Sequence, residues 1–307
     1  MTRKPTQARI WAALVTVYVL WGSTYLGIRW AEATIPPLLM SGVRFLIAGA
    51  ILFLWRLPSA RRNGETPSRG HWMAAFLVGV PLILGGNGGV ALAERTVPSG
   101  VTAVMVALTP LWMALIDRFV FHRRLNPWTW TGIVVGFGGV AFLIGLPGSG
   151  RIDIVGASIV VVASLSWAAG SIYSREAKLP KDSSLGIGME MLAGGACLCI
   201  ASAIFGDAGR LHVARISPLS YWSFAYLVVF GAIVGFSAYL WLLRVTETSR
   251  VATYAYVNPV VAVALGAALG HEPISARTVA AGAVILTGVA LIVANSKPPE
   301  GAAEAGP

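Results

Sequence analysis

The sequence predicts an all-α polytopic membrane protein with ten transmembrane helices, arranged as two inverted five-helix repeats. Of its 307 residues, 56% are hydrophobic and only 12% are charged, whereas soluble domains carry about 25% charged residues. Apolar stretches of about 20 residues, the length that a helix needs to cross a bilayer, recur along the whole chain. The two halves of the chain also share residues at nearly constant offsets. A soluble bundle of buried helices is the alternative that this composition disfavours.

The first half contains five candidate spans, separated by short segments rich in proline, glycine and charge. The first span follows Arg3, Lys4 and Arg9 and continues to Trp30, which is longer than the apolar region of a secretory signal. We assign residues 10–146 to the first repeat. Its predicted spans are Ile10–Trp30, Leu38–Arg56, Trp72–Leu92, Ser99–Phe121 and Trp128–Leu146.

The second half contains five further spans, after a Pro-Gly-Ser-Gly segment at 147–150. We assign residues 153–295 to the second repeat. The remaining residues, 296–307, consist mostly of proline, glycine, alanine and glutamate and are predicted to form a disordered cytoplasmic tail. The predicted spans of this half are Asp153–Ser174, Ser184–Phe205, Ser220–Leu243, Ser249–Leu269 and Ala276–Asn295.

The distribution of Lys and Arg predicts the orientation in the membrane. If the N-terminus is cytoplasmic, the cytoplasmic segments hold fifteen of these residues and the outer segments hold five. Cytoplasmic loops of membrane proteins carry such an excess of positive charge. We therefore expect both termini to be cytoplasmic. The same distribution explains the net charge of +10 without a nucleic-acid partner.

The internal repeat runs through both halves in two related registers. The matched residues are Trp21 and Trp167 at an offset of 146, and Pro110 and Pro259, His122 and His271, and Gly139-Val140-Ala141 and Gly288-Val289-Ala290 at an offset of 149. Because each copy holds five predicted spans, the second copy is expected to lie upside down relative to the first. Inverted repeats with interrupted helices at matching positions are typical of secondary transporters, whose substrate site lies at the membrane midplane.

Several motifs resemble one known family. They are Trp21-Gly22-Ser23-Thr24-Tyr25, Gly42-Val43-Arg44-Phe45, Gly86-Asn87-Gly88-Gly89, Val97-Pro98-Ser99-Gly100, Thr109-Pro110, Tyr254-Ala255-Tyr256-Val257-Asn258-Pro259 and His271-Glu272. From Ile10 to Asn295 the chain resembles the drug/metabolite transporter superfamily, within it the EamA-type exporters of bacterial inner membranes, and most closely the YedA-like branch. The resemblance implies ten helices, cytoplasmic termini and export of small metabolites, amino acids or drugs. The chain departs from the family at one of the usual Gly-Glu pairs, because Arg123 stands where the second half has Glu272.

The prolines of the fourth and ninth spans predict helix breaks. Proline removes one backbone donor and displaces the carbonyl one turn earlier, so such backbone is expected to face protein or a wet cavity rather than lipid. Thr109 precedes Pro110 and Asn258 precedes Pro259, where either polar side chain can bind the freed carbonyls or a substrate. A plain packing kink is the alternative.

Two charged residues are predicted to lie inside the membrane at matching positions. Arg44 and Glu190 are related by the offset of 146 and lie about two turns inside their helices. Charges at such depth face the bundle interior by default. We interpret Arg44 as an anion or carboxylate contact and Glu190 as a candidate site for a coupling proton or cation. Snorkelling or binding of carbonyls at helix ends is the alternative for Arg44.

Aromatic and polar residues complete the predicted substrate site. Trp21, Trp167 and Tyr254 lie away from the membrane boundary, and aromatic faces suit amphipathic or cationic solutes. Asn87 lies among glycines in the third span, and Ser23 belongs to the motif of the first span. Core packing is the alternative for each aromatic residue, and a hydrogen bond across a close helix contact is the alternative for Asn87.

Enzymatic signatures are absent from the sequence. It contains no Walker A loop and no pair of histidines at ligand spacing, so we expect no metal, no cofactor and no enzymatic activity. The expected partners are the lipid bilayer and a small-molecule solute; the oligomeric state stays open, with a monomer compatible. We expect an inner-membrane exporter that works by alternating access, with proton exchange as a candidate driving force. A passive facilitator or channel is the alternative, and a membrane sensor or assembly subunit is less favoured.

Overall fold

The computed structural model describes residues 6–122, 124–144 and 153–294, and within these ranges its regular structure is entirely helical. The predicted all-α class is therefore confirmed. Arg123, the end of the first predicted repeat and the predicted tail lie outside the described residues. The elements of the first half are α1 (Gln7–Glu32), α2 (Pro37–Arg62), α3 (Arg69–Gly79), π1 (Val80–Asn87), α4 (Gly88–Ala93), α5 (Ser99–Val106), α6 (Thr109–Phe119) and α7 (Pro127–Ile144).

The second half repeats this order of elements. Two short 3₁₀ turns, Ala208–Arg210 and Val213–Arg215, lie in the connection after its second long helix. The remaining elements are α8 (Ile154–Tyr173), α9 (Ser183–Ile204), α10 (Pro218–Tyr226), π2 (Leu227–Phe236), α11 (Ser237–Val245), α12 (Thr248–Val251), α13 (Tyr254–Ala268) and α14 (Ala276–Ala294).

The described helices suit a membrane by length, composition and surface. Eight helical stretches are long and apolar enough to cross a bilayer, and Pro127–Leu143 and Tyr254–Ala268 are shorter apolar helices at the places of the predicted fifth and ninth spans. Large apolar side chains also cover the outer surface, with Leu54 and Trp55 each 66% exposed. Such a surface is suited to contact with lipid, because exposure of so much apolar surface to water would be unfavourable.

Two π-helical segments interrupt the predicted third and eighth spans. π1 and π2 continue directly from α3 and α10 and into α4 and α11, and the repeat offset of 149 relates Gly86 in π1 to Gly235 in π2. The sequence predicted plain helices here. Pro81 lies at the start of π1 and removes one donor from its backbone, but no comparable residue begins π2. π segments often mark functional sites.

The fourth predicted span is interrupted just before its proline, whereas the ninth is interrupted well before its proline. α5 ends at Val106 and α6 begins at Thr109, so Pro110 occupies a first-turn position where its missing N–H costs nothing. In the second half, Pro259 lies inside α13 and the interruption falls earlier, at Ala252 and Thr253. The prediction of a break at Pro259 itself was therefore wrong. Pro259 removes the helical hydrogen bond to the carbonyl oxygen of Ala255, and the interruption at Ala252 and Thr253 lies immediately before α13 begins.

Glycines bring matching helices of the two halves together in reciprocal pairs. A Cβ atom on Gly42 of α2 would lie 3.2 Å from the carbonyl oxygen of Gly195 in α9, and a Cβ atom on Gly49 would lie 2.9 Å from that of Gly188. Residues that ascend along α2 thus meet residues that descend along α9, so these two helices are antiparallel. The repeat offset of 146 converts one contact into the other, which is the pattern of a local two-fold relation.

The helices α7 and α14 also pack closely through reciprocal glycine contacts. A Cβ atom on Gly139 would lie 3.1 Å from the backbone nitrogen of Ile285, and one on Gly288 would lie 2.6 Å from that of Gly136. The offset of 149 again converts one contact into the other. Small residues permit this close approach of helix backbones within a membrane.

Candidate functional site

A cavity of about 590 Å³, which includes the space at its opening, lies between elements of both halves. Its walls come from α1, α2, π1, α4, α5's C-terminal end, α8, π2 and α13. Five of the eight predicted substrate-binding residues line it: Trp21, Arg44, Asn87, Trp167 and Tyr254. The fold therefore brings together side chains that are more than 200 residues apart in the sequence.

One group of side chains that line the cavity is aromatic. The rings of Trp21 and Trp167 meet edge to face with centroids 5.3 Å apart, and Trp21 meets Tyr254 in the same way at 5.7 Å. Tyr239, which the sequence analysis did not single out, packs 4.8 Å from Trp21 and accepts a hydrogen bond of 3.1 Å from Trp167 Nε1. Edge-to-face pairs of this kind add stability beyond their buried area, so the aromatic wall is held in place.

Each tryptophan is seated in the π segment of the opposite half. A Cβ atom on Gly86 in π1 would lie 2.7 Å from Trp167 Cε3, and one on Gly235 in π2 would lie 2.5 Å from Trp21 Nε1. Trp21 Nε1 also donates to the carbonyl oxygen of Gly231 in π2 at 3.2 Å. Because the repeat matches Trp21 with Trp167 and Gly86 with Gly235, the two contacts are copies of one another.

The polar part of the cavity lining is built around Arg44. This side chain is only 2% exposed, and its Nη2 donates to Asn87 Oδ1 at 3.0 Å. Asn87 Nδ2 in turn donates to the carbonyl oxygen of Leu82 in π1 at 3.3 Å. The ring of Phe45 lies 4.5 Å from the guanidinium carbon. Arg44 Nε has no hydrogen-bond partner in the described chain.

Two acidic residues near Arg44 were not predicted. Glu94 is 2% exposed, and the carboxylate oxygens of both Glu94 and Glu32 are buried without a hydrogen-bond partner among the described residues. Both carboxylates interact electrostatically with Arg44. Glu32 ends α1 and Glu94 follows α4, so the sequence alone places them with ordinary loop charges. Only the packing of α1, α2 and α4 buries them together.

Three predicted substrate-binding residues lie outside the cavity lining. Ser23 Oγ lies 2.6 Å from the Tyr226 hydroxyl, and Thr109 Oγ1 donates to the carbonyl oxygen of Val106 at 2.7 Å. The side-chain nitrogen of Asn258 lies within 3.2 Å of the carbonyl oxygens of Tyr254 and Tyr18 when its amide is oriented to donate. The bond of Ser23 joins α1 to α10, that of Thr109 spans the break between α5 and α6, and those of Asn258 join α13 to α1 and to its own preceding turn. A direct role for the three residues in solute binding stays a prediction.

Glu190 is fully buried, away from the cavity lining and from Arg44. Its nearest cation is Arg244, whose Nη2 lies 3.9 Å from Glu190 Oε1. Arg244 Nη1 also donates to Ser183 Oγ at 2.7 Å. No hydrogen bond to the carboxylate occurs within the described part of the chain. The matching positions of Arg44 and Glu190 therefore carry separate charges with separate partners, and a coupling role for Glu190 stays a prediction.

Glu272 joins three helices on the side of the molecule predicted to face outward. Its Oε1 accepts hydrogen bonds from Ser99 N at 3.1 Å and Ser99 Oγ at 2.8 Å, and its Oε2 accepts one from Gly100 N at 3.2 Å. Arg29 Nε of α1 lies 3.2 Å from the same carboxylate. His271, three residues after the end of α13, adopts a left-handed conformation with φ of 53° immediately before Glu272. The family motif noted in the sequence thus caps a helix.

The sequence comparisons agree with this arrangement of two similar halves. The EamA-like transporter family matches residues 9–145 and again residues 154–294. The chain belongs to this family. The predicted membership in the EamA-type branch of the drug/metabolite transporter superfamily is thereby confirmed.

Relatives within the EamA-like transporter family cover nearly the whole chain. The inner membrane transporter YedA of Escherichia coli strain K12, described as uncharacterized, is 38% identical over 92% of this chain and 90% of its own length. The uncharacterized transporter YvbV of Bacillus subtilis strain 168 is 23% identical over 94% and 93%. A probable amino-acid metabolite efflux pump of Salmonella typhimurium strain LT2 is 26% identical over 89% and 91%.

A solved structure shares the fold of this EamA-like protein. It is the crystal structure of a protein with 19% sequence identity and a TM-score of 0.64, and the match covers 92% of this chain and 96% of that one. The family and its relatives are named as transporters, and the helices suit a bilayer. The chain is therefore a multi-pass membrane transporter.

Proposed function

We propose that this transporter exports a small organic solute across the bacterial inner membrane by alternating access around the cavity. The observation that carries the proposal is the reciprocal seating of Trp21 and Trp167. Each tryptophan contacts a glycine in a π segment of the other half, and the two rings meet between the halves. Movement of one half against the other would separate these contacts and change the side from which the cavity is open.

The proposal includes ten membrane crossings in two inverted five-helix repeats. It is supported by eight long apolar helices together with the shorter apolar helices of α7 and α13. The antiparallel, reciprocal packing of α2 with α9 and of α7 with α14 supports the inversion. The excess of Lys and Arg in alternate loops supports cytoplasmic termini.

The proposed direction is outward. The Salmonella relative is named as an efflux pump, and export is the function that the family resemblance favours. Proton exchange is the proposed driving force. Glu190 is its candidate coupling site because this buried carboxyl group, whose nearest cation lies 3.9 Å away, can accept a proton without losing a hydrogen bond within the described residues.

The first step in testing this proposal is to identify the transported solute. Excreted metabolites are compared between cells that produce the protein and cells that lack it, and each candidate is then tested in proteoliposomes with an imposed pH gradient. We expect accumulation against the solute gradient that stops when the pH gradient is abolished. Flux that never exceeds equilibration would instead indicate the passive facilitator, and flux indifferent to the pH gradient would refute proton coupling.

A matched pair of variants connects transport with the cavity. Gly86→Val places a side chain where a Cβ atom already meets Trp167 at 2.7 Å, whereas a Cβ atom on Gly138 meets nothing within 4 Å. We expect Gly86→Val to abolish transport and Gly138→Val to preserve it, with equal amounts of both variants in the membrane. Normal transport by Gly86→Val would show that the solute takes another route.

A further inference from the structure

The guanidinium of Arg44 has a buried hydrogen-bond donor that no acceptor in the described residues satisfies. One of its N–H groups bonds Asn87, but Nε has no acceptor in the described chain although the residue is 2% exposed and lines the cavity. A buried donor without an acceptor is costly, more so when it is charged. The group is therefore prepared for an acceptor that arrives with the solute.

The guanidinium is also held in a fixed orientation. Asn87 receives its Nη2 hydrogen bond and is itself anchored to the carbonyl oxygen of Leu82, while the ring of Phe45 lies 4.5 Å from the guanidinium carbon. A planar guanidinium that is fixed in this way presents parallel N–H groups, which match the two oxygens of a carboxylate.

The number of cations in the buried lining limits the charge of such a ligand. Arg44 is the cationic side chain that lines the cavity, and Glu32 and Glu94 carry buried carboxyl oxygens with no hydrogen-bond partner in the described residues. Burial favours the neutral form of such carboxyls. One guanidinium can pair with one negative charge, and a second negative charge would be buried without a partner, so the site favours a monoanion over a dianion.

The remainder of the cavity lining is mostly apolar, although it includes the hydroxyl-bearing side chains of Thr24, Tyr25, Ser164 and Tyr254. Beyond Arg44 and Asn87, its walls include Trp21, Trp167 and Val90. A ligand that places its charged group on Arg44 therefore has an aromatic or aliphatic body directed toward the two tryptophans. An inorganic anion would leave these walls uncovered.

We infer that the solute is an amphipathic organic monoanion, with its carboxylate on Arg44 and its apolar body against Trp21 and Trp167. This inference rests on the transport function proposed above and adds the chemical class of the substrate. Arg44 is then the residue that selects for charge, and the tryptophans select for an apolar body.

The first test uses the unmodified protein and therefore does not depend on the folding of a variant. Calorimetry in detergent compares 3-phenylpropionate with 3-phenylpropionamide, 3-phenylpropylammonium and the dianion phenylsuccinate. We expect the carboxylate to bind about 10-fold to 100-fold more tightly than the amide, which corresponds to one charge-assisted hydrogen bond or ion contact, and the dianion to bind more weakly than the monoanion. Equal or tighter binding of the amide or the ammonium compound overturns the inference.

The second test uses Arg44→Gln, with Arg44→Lys as the variant that keeps the charge. Arg44→Gln is expected to lower the affinity for 3-phenylpropionate by about 10-fold to 100-fold and to leave the affinity for the amide unchanged. Arg44→Lys is expected to recover part of the loss. Arg215→Gln, a matched change at an exposed loop residue, controls for net charge. Undiminished carboxylate binding by folded Arg44→Gln overturns the assignment.

The inference and the proposed function fail in different ways. If the excretion screen yields a neutral or cationic solute whose flux is not inhibited by 3-phenylpropionate, the protein is a transporter but its cavity does not select monoanions. If no solute moves although 3-phenylpropionate binds through Arg44, the charge selectivity holds and the transport proposal fails.

Discussion

The close contact between α2 and α9 at their glycines predicts that Gly188→Ala destabilises the protein. A Cβ atom on Gly188 would lie 2.8 Å from the backbone nitrogen of Phe53 and 3.1 Å from the carbonyl oxygen of Gly49. Both neighbours are backbone atoms of α2 and cannot rotate away. The methyl group therefore has to push the two helices apart along their interface.

The expected change in the free energy of unfolding is the difference between two opposing effects. Overpacking a tightly packed core costs about 1–3 kcal/mol. Alanine gains at most about 1 kcal/mol over glycine from helix propensity, and this gain is smaller in detergent because the helices persist after unfolding. We expect Gly188→Ala to lower the free energy of unfolding by about 1–2 kcal/mol, which corresponds to a Tm about 2–8 °C lower.

The assay is thermal unfolding in one detergent, with two comparison variants. Gly138→Ala replaces a helical glycine whose Cβ atom meets nothing within 4 Å, so its Tm is expected to stay equal or to rise slightly. Gly49→Ala, the reciprocal partner, would place a Cβ atom 2.9 Å from the Gly188 carbonyl oxygen and is expected to lower the Tm by a similar amount. A Gly188→Ala variant as stable as Gly138→Ala would refute the proposed contact of α2 with α9.

Three further predictions concern residues at the ends of the helices. Glu272→Gln keeps the side-chain size but removes the charge at the N-terminus of α5, so we expect a loss of about 1–2 kcal/mol in thermal unfolding, and an unchanged Tm would contradict the capping role. For Asp182, burial raises the pKa, but hydrogen bonds from Arg56 and from the start of α9 outweigh it and hold the pKa below its ordinary value of 3.8. The stability that this carboxylate contributes is therefore present above pH 3.8 and is lost as the pH falls through the lower pKa of the folded protein. Asp182→Asn should lower the Tm at pH 7, and the difference from the unmodified protein should shrink below pH 3.8; a constant difference at every pH would argue against it. Finally, a membrane-impermeant maleimide added to intact cells should label Arg215→Cys and not Arg61→Cys, and the reverse pattern would invert the proposed topology.

Much of the fold was predictable because hydrophobicity and charge act locally. The run of apolar residues from Ile10 to Trp30 has to form a helix in a bilayer, since no other conformation satisfies its backbone. Proline also marks positions where a regular helical hydrogen bond is missing, and α6 begins one residue before Pro110. In the ninth predicted span the interruption instead lies at Ala252 and Thr253, before α13 and its Pro259.

The candidate site was predictable only in part. Trp21, Arg44 and Asn87 were found because polar and aromatic residues stand out within apolar spans, and they line the cavity. Thr109 and Asn258 stand out for the same reason, yet they bond backbone carbonyls of their own surroundings. A single sequence does not distinguish a polar side chain that serves its own helix from one that faces a cavity.

The sequence by itself determined the membrane class, the family, the repeat and most helix positions, because these depend on composition and on spacing along the chain. The tertiary structure decided which residues meet. It buried Glu32 and Glu94 near Arg44, placed Glu190 beside Arg244, and seated each tryptophan in a π segment of the other half. Such contacts depend on how helices pack across the repeat, and no local pattern of residues encodes the partner that packing brings into reach.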